Sequence, residues 1–515
     1  MSTQDEDINA PLLEGNLAPE YGSTAGPASS LAPHASFRRN LGTSEAFSII
    51  INIVIGSGIF TSLGAIDTNV PSPGAALVVW FVGGILAWTG AATMAELGAA
   101  IPGEGGVQQY LQYIYGEAFG FLAAWTWAVA VVPASLAILS IVFVESIYSA
   151  TGVTDQPDRM AHKLLSSLVL LIISMANSVS TQFSTRLNTF FLTTKFAAIA
   201  LTVVAGLGVV LYHLAGWDRD NSGEPQDWLT RAWFGARNTV GLDGREIEWQ
   251  KLHGWESLGH YSAALYGALW AYSGWDKAIY VSAELSSPAR QLPLAINTAV
   301  PIVILSFIAV NIAYYILLPW RVVSTTDSVA VTSFSHLLGP TFGAIAAGLI
   351  CLVVAGSLLG SSFVAGRIVV AAANSNWLPA FLARIGSVSG RSTSTADAPI
   401  NAILFSTACS IVYIFFGNFR VLATFSGLSA YIFFFLTMVG AIILRVREPE
   451  LPRPYKPMIC VPVIFALVSG CVVARGAVFA PVQAAVLIGL WLVGLGLYSA
   501  RRQWIGKGEA ESSEQ

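Results

Sequence analysis

The residues best suited to hold a polar ligand in this 515-residue chain lie at two weak points inside apolar sequence. The first is Gly56-Ser57-Gly58, flanked on both sides by apolar runs within residues 49–63. The second is Ser273-Gly274, within residues 268–280 (ALWAYSGWDKAIY). Glycine costs about 1 kcal/mol relative to alanine in a helix interior, so a continuous helix opens most readily here. Opening frees backbone N–H and C=O groups, which hydrocarbon leaves without partners. Such groups are tolerated only where they line a cavity or meet a ligand. The half-helix starting near Ile59 directs amide donors and a positive dipole end at the gap, a place for a carboxylate. An opening over residues 271–273 offers carbonyls at the C-terminus of the other half-helix, acceptors for an ammonium. Together they describe the backbone of an α-amino acid, with Trp270 placed to cover it as a gate. Two plainer readings compete: small residues also make close helix contacts in membranes, and a lone tryptophan is often a packing or interfacial residue.

Ionisable side chains inside apolar stretches form the second group: Glu96, Glu145, Lys195, Asp276, Glu284 and Arg367. Charge within a bilayer is costly and marks pairing or function. Glu96 and Glu284 are expected to form structural ion pairs with internal arginines. Glu145, near a segment end, is expected to be solvated. Lys195, in FFLTTKFAAIALTVV, has no nearby acid in sequence. It is expected either to snorkel to the membrane surface or to serve an internal partner.

Composition says what must position these groups. The chain is 54% hydrophobic and 11% charged, against about 25% charged for a soluble domain, which makes it a polytopic membrane protein. No basic block suggests nucleic acid, and no metal-ligand spacing or nucleophile–base set suggests an enzyme or a cofactor. Twelve segments approach the length of about 20 residues that a bilayer span needs: 44–66, 74–100, 117–149, 162–180, 187–213, 259–284, 292–318, 341–373, 399–416, 419–446, 458–476 and 480–501. Most Lys and Arg of the short loops fall on the side of the N-terminus, among them Arg38, Arg186, Arg290, Arg384, Arg445 and Arg501. By the positive-inside rule both termini are cytoplasmic.

The glycine breaks fall in segments 1 and 6. If segments 1–5 and 6–10 are inverted repeats, the breaks are equivalent positions, as in transporters with discontinuous helices. The expected domains are a disordered cytoplasmic tail (1–42), a transmembrane domain (43–503) and a cytoplasmic tail (504–515). The transmembrane domain divides into repeat one (44–213), an external loop (214–258) expected to pack as a cap, repeat two (259–446) and two extra segments (458–501).

Four stretches carry a family resemblance. Residues 54–60 (VIGSGIF) resemble segment 1 of the amino acid–polyamine–organocation superfamily. Ala95-Glu96-Leu97-Gly98 with Ile101-Pro102 resembles the segment 2 end of its L-type amino acid transporters. Residues 269–276, Glu284-Leu285 and residues 288–296 (PARQLPLAI) resemble their segment 6 and following loop. Residues 444–454 (LRVREPELPRP) resemble their segment 10 exit. The resemblance covers about residues 44–500. It implies an all-α, LeuT-like fold of twelve helices with a 5+5 inverted repeat, helices 1 and 6 discontinuous, and sodium-independent amino acid transport, often by exchange. It implies that Gly56, Ser57, Gly58 and Ile59 meet the carboxylate, and that Trp270, Ala271 and Ser273 meet the amino group and the gate. Ile55 and Gly274 complete the two breaks. By position, Val131, Leu139 and Leu359 resemble side-chain pocket residues. Lys195 matches the segment 5 lysine whose ammonium takes a sodium position in sodium-coupled relatives.

Departures are informative. Animal members of that family join a glycoprotein heavy chain through a cysteine between segments 3 and 4. Residues 151–162 contain none here, so no disulfide-linked heavy chain is expected. Ser273 argues against a strong preference for cationic substrates, and Leu359 favours an apolar pocket. Asp276, where the family has Asn, has no interpretation at this level. The expected function is sodium-independent transport of neutral, bulky L-amino acids in a multi-pass membrane protein of the plasma membrane, or of a vacuolar or endosomal one. A proton-coupled permease, such as a methionine permease, is the alternative. An amino acid sensor without net transport is the alternative of another class.

Overall fold

The computed structural model describes residue 39 and residues 41–150, 160–179, 181–216, 227–240, 246–326, 328–386 and 398–513. Most of the N-terminal tail and of the loop after segment 3 therefore lies outside the described residues. Among the described residues, nine helices are long and apolar enough to cross a membrane. Three of the twelve segments fall short for separate reasons. Segment 1 is two helices, Thr43–Val54 and Gly58–Thr68. The helix of segment 6, Gly254–Ala271, has 18 residues but opens on the polar run GWESLGH. Segment 9, Ile400–Phe416, has only 17 residues.

Segments 1, 2, 6 and 7 pack on one another, and segments 3, 4, 8 and 9 do the same. The two sets meet where the first half of segment 1 packs on segment 8. Segments 5 and 12 leave Leu201, Leu207, Leu211, Val482, Leu492 and Val493 exposed, the surface that acyl chains would cover.

The helices depart from regularity where their chemistry requires it. Segment 3 passes through a π turn at Trp127–Val131. Pro133 lies just beyond and carries no N–H for the carbonyl four residues back. That carbonyl, on Val129, is taken instead by the Tyr413 hydroxyl at 2.8 Å. Short helices at Val107–Tyr115, Trp320–Thr325 and Val329–Leu338 join the segments. The last helix runs from Pro481 to Ser513, so the described part of the expected 504–515 tail is helical.

The buried acids are paired. Glu96 meets Arg445 at 2.5 Å and Arg453 at 3.5 Å, and Glu284 meets Arg367 at 2.7 Å. Asp67, fully buried at the end of segment 1, receives Nη2 of Arg237 at 2.6 Å on both carboxylate oxygens. The Tyr315 hydroxyl donates to the same carboxylate at 2.5 Å.

Arg237 belongs to the long loop between segments 5 and 6, whose described part forms a helical turn (Asp227–Thr230) and a two-stranded ribbon. Thr239 Oγ1 donates to Thr68 O at 2.8 Å, and Gly74 N donates to Trp233 O at 2.8 Å. The loop is thus packed over the Asp67 end of segment 1. Arg237→Ala leaves a fully buried carboxylate without its cation, which typically costs about 3–5 kcal/mol. We expect a clear drop in melting temperature in detergent. Arg231→Ala removes a pair whose cation is 59% exposed and is expected to change stability by less than about 1 kcal/mol. Equal melting temperatures for the two variants would contradict this ranking.

Candidate substrate site

Segment 1 opens at residues 55–57. Its first half ends as Ile55 N donates to Ile51 O at 2.9 Å, and Gly56 N turns back to Val54 O at 2.8 Å. The second half starts at Gly58, with Phe60 N closed on Ser57 O at 3.0 Å. A helix start leaves the N–H groups of its first turn outside its own ladder. Gly58 and Ile59 carry those donors here.

Segment 6 opens over a longer stretch than residues 271–273. Its α-helix ends at Ala271, Tyr272 to Asp276 form turns, and the chain resumes as a 3₁₀-helix, Lys277–Glu284. Gly274 holds φ at +107°, a left-handed conformation that glycine adopts without cost. The two breaks meet. A Cβ at Gly58 would stand 2.7 Å from Ala271 Cα and 3.1 Å from Ala271 O. Only a glycine lets the amide end of one half-helix approach the carbonyl end of the other this closely.

The carbonyls left at the end of the first half-helix find a cation. Lys195 Nζ donates to Asn52 O and to Ile55 O, each at 2.5 Å, and lies 2.8 Å from Ser357 Oγ of segment 8. Ser357 Oγ in turn donates to Asn52 O at 2.7 Å. Lys195 has zero exposure, so its ammonium is turned inward and does not snorkel. Its stem passes Gly356, where a Cβ would stand 3.1 Å from Lys195 Cε.

One cavity of about 110 Å³ gathers both breaks, far more than the roughly 10–15 Å³ that a single water needs. Gly56, Ser57, Gly58, Val131, Leu139, Trp270, Ala271, Ser273 and Gly274 line it. Three other expected residues do not. Ile55 acts through the carbonyl that Lys195 binds. Ile59 is fully buried in the apolar core. Leu359 packs with Phe191 and Ala355, its carbonyl accepts Asn177 Nδ2 at 2.9 Å, and it lines a different cavity, beside Asn177 and Asn188. Ser361, two residues on, reaches the cavity in its place. A helical offset of two residues, about 200°, carries a side chain to the opposite face.

Sequence reasoning passed over Ser135, Tyr266, Ser426, Tyr431 and Phe434, which also line the cavity. The Phe419 ring meets Trp270 edge-on at 5.3 Å. Segment 10 supplies most of these aromatic rings, and no motif marks them. Lys277 was overlooked too. It lies 2.8 Å from Asp276, which gives that carboxylate its partner. Among the described residues, no group of three or more His, Cys, Asp or Glu side chains is placed to hold a metal ion. Cys351, Cys409, Cys460 and Cys471 are free thiols.

Gly58→Val forces the breaks apart. We expect it to abolish amino acid uptake by protein that still reaches the membrane. Gly208→Ala, where a Cβ meets nothing within 4 Å, serves as the tolerated control. Normal uptake by well-expressed Gly58→Val protein would refute the assignment.

Comparison with known proteins shows the family. The amino acid permease family matches residues 41–498. The chain is 30% identical over 438 residues to the human (Homo sapiens) b(0,+)-type amino acid transporter 1, covering 84% of this chain and 82% of that protein. It is 29% identical over 489 residues to the large neutral amino acids transporter small subunit 2 of Rattus norvegicus, covering 94% of this chain and 85% of the relative. Broken apolar helices around one cavity, and a match spanning nearly all of them, lead to one assignment: the chain belongs to the amino acid permease family, within the amino acid–polyamine–organocation superfamily, and is a multi-pass membrane protein.

Proposed function

We propose that the protein is a sodium-independent secondary transporter of neutral, bulky L-amino acids, working by exchange or facilitated passage through alternating access. One observation carries this reading: both helix breaks open into one cavity, and a buried lysine caps the carbonyls of the first. The α-carboxylate takes the amides of Gly58 and Ile59 at the positive end of a half-helix. The α-ammonium takes carbonyls from Ala271 to Ser273 at the negative end of the other. Trp270, set against Phe419, covers the ligand. Val131, Leu139, Tyr431 and Phe434 supply the wall for the side chain. The packing of segments 1, 2, 6 and 7 on one another and of 3, 4, 8 and 9 on one another supports twelve spans and a 5+5 inverted repeat; the Lys and Arg of the short loops support cytoplasmic termini, and the plasma membrane is the proposed site of action.

In this reading Lys195 supplies the fixed positive charge that a sodium ion supplies in sodium-coupled relatives. Arginine, a planar fork, does not replace a compact ammonium. We expect equal uptake in sodium and choline buffers, and severe loss in both Lys195→Ala and Lys195→Arg. The reading is falsified if wild-type uptake requires sodium or if Lys195→Ala transports at the wild-type rate. A proton-coupled permease is the second reading. It rests on the same lysine, whose three contacts are two backbone carbonyls and a hydroxyl. A pH gradient imposed on the same proteoliposomes separates the two, since only the second predicts accumulation driven by it. A sensor shows binding without uptake.

The name of one relative describes it as a small subunit. In this chain residues 151–162 hold no cysteine, and we infer that no partner is attached there by a disulfide. Identical mobility on reducing and non-reducing gels is expected. A high-mass band that collapses with reductant would count against it.

A further inference from the structure

The cavity has a polar corner outside the two breaks in sequence. It lies where segment 3 leaves its π turn and meets segment 10. Ser135 Oγ donates to Val131 O at 2.7 Å. Ser426 Oγ of segment 10 lies 3.2 Å from Ser135 Oγ and 3.4 Å from Val131 O. Both serines line the cavity, among Ile138, Leu139, Ala423 and Ala430. Neither is needed by the amide and carbonyl sites that hold the ligand backbone.

The direction of the protons decides what this corner offers. A hydroxyl has one proton and two lone pairs. The Ser135 proton is used on the Val131 carbonyl. The Ser426 proton has its acceptors on segment 3, in Ser135 Oγ and Val131 O. Both protons therefore turn toward segment 3, and lone pairs are left for the cavity. The corner accepts hydrogen bonds, and its own donors are already satisfied. An apolar side chain beside it leaves no donor stranded, so discrimination is moderate. This differs from a site whose own donors need the ligand, which rejects an analogue far more strongly.

We propose that the Ser135–Ser426 pair is a side-chain selector. Among neutral amino acids it favours those whose side chain carries an N–H or O–H donor over isosteres without one: glutamine over methionine, threonine over valine. The proposal rests on the reading that this cavity binds an α-amino acid. One neutral hydrogen bond corresponds to roughly a 3- to 10-fold preference.

The test is uptake by the full-length protein in proteoliposomes, with each pair of substrates in direct competition. The wild type is expected to favour glutamine over methionine and threonine over valine by about 3- to 10-fold. Ser426→Ala and Ser135→Ala are expected to bring both ratios close to 1. Ser140→Ala is the control: Ser140 is fully buried on the same segment and donates to Leu136 O at 3.0 Å and Ala137 O at 2.9 Å. It is expected to keep the wild-type ratios. A wild-type ratio at or below 1, or wild-type ratios in both cavity variants, overturns the selector and leaves the transport reading intact. Uptake of none of the four amino acids overturns the transport reading and this proposal with it.

Discussion

The structure depends on one constraint: a helix broken inside hydrocarbon must give its freed backbone groups partners. Segment 1 meets it from two sides. The carbonyls of Asn52 and Ile55 are held by the Lys195 ammonium, which replaces the N–H groups that an unbroken helix would have supplied. On the other side, the second half-helix starts at Gly58, which lines the cavity. The break is thus asymmetric by design of charge. One side is closed by a side chain of the protein, and the other is, in the proposed reading, the place of the ligand's carboxylate.

That asymmetry requires rigid surroundings, and the ends of the helices provide them. Glu96 is clamped by Arg445 and Arg453, and Glu284 by Arg367. Asp67 is held by Arg237 and Tyr315. Leu41 N donates to Glu284 O at 2.9 Å, and Ser286 N donates to Leu41 O at 3.1 Å. These bonds stitch the start of segment 1 to the end of segment 6. A buried pair loses several kcal/mol when one partner is removed, so these contacts hold the helix ends in place. The middle holds the flexible elements: glycines, a π turn and a 3₁₀ stretch.

Much of this was legible because its signals are local. Two glycines around a serine in apolar sequence announce a weak point. A lone lysine such as Lys195 in FFLTTKFAAIALTVV announces a partner or a surface. Glu96 and Glu284 were expected to meet arginines, and they do. What was not legible depends on distance. Asp67 and Arg237 are 170 residues apart, and neither has meaning alone. Lys277 was overlooked although it adjoins Asp276, because the breadth of the segment 6 opening, through Asp276, is a tertiary outcome. Leu359 falls outside the cavity of the two breaks, where Ser361 stands, because a positional analogy does not fix helical phase over two residues. The serine corner joins Ser135, just past the π turn of segment 3, to Ser426 of a segment nearly 300 residues away.

The most direct test of the account is a cryo-electron microscopy structure of the protein with a transported neutral amino acid bound. The account predicts the α-carboxylate within hydrogen-bond distance of the Gly58 and Ile59 amides, the α-ammonium on carbonyls between Ala271 and Ser273, and Lys195 still on Asn52 O and Ile55 O. A ligand bound elsewhere, or seated with its carboxylate on the segment 6 side, would contradict it.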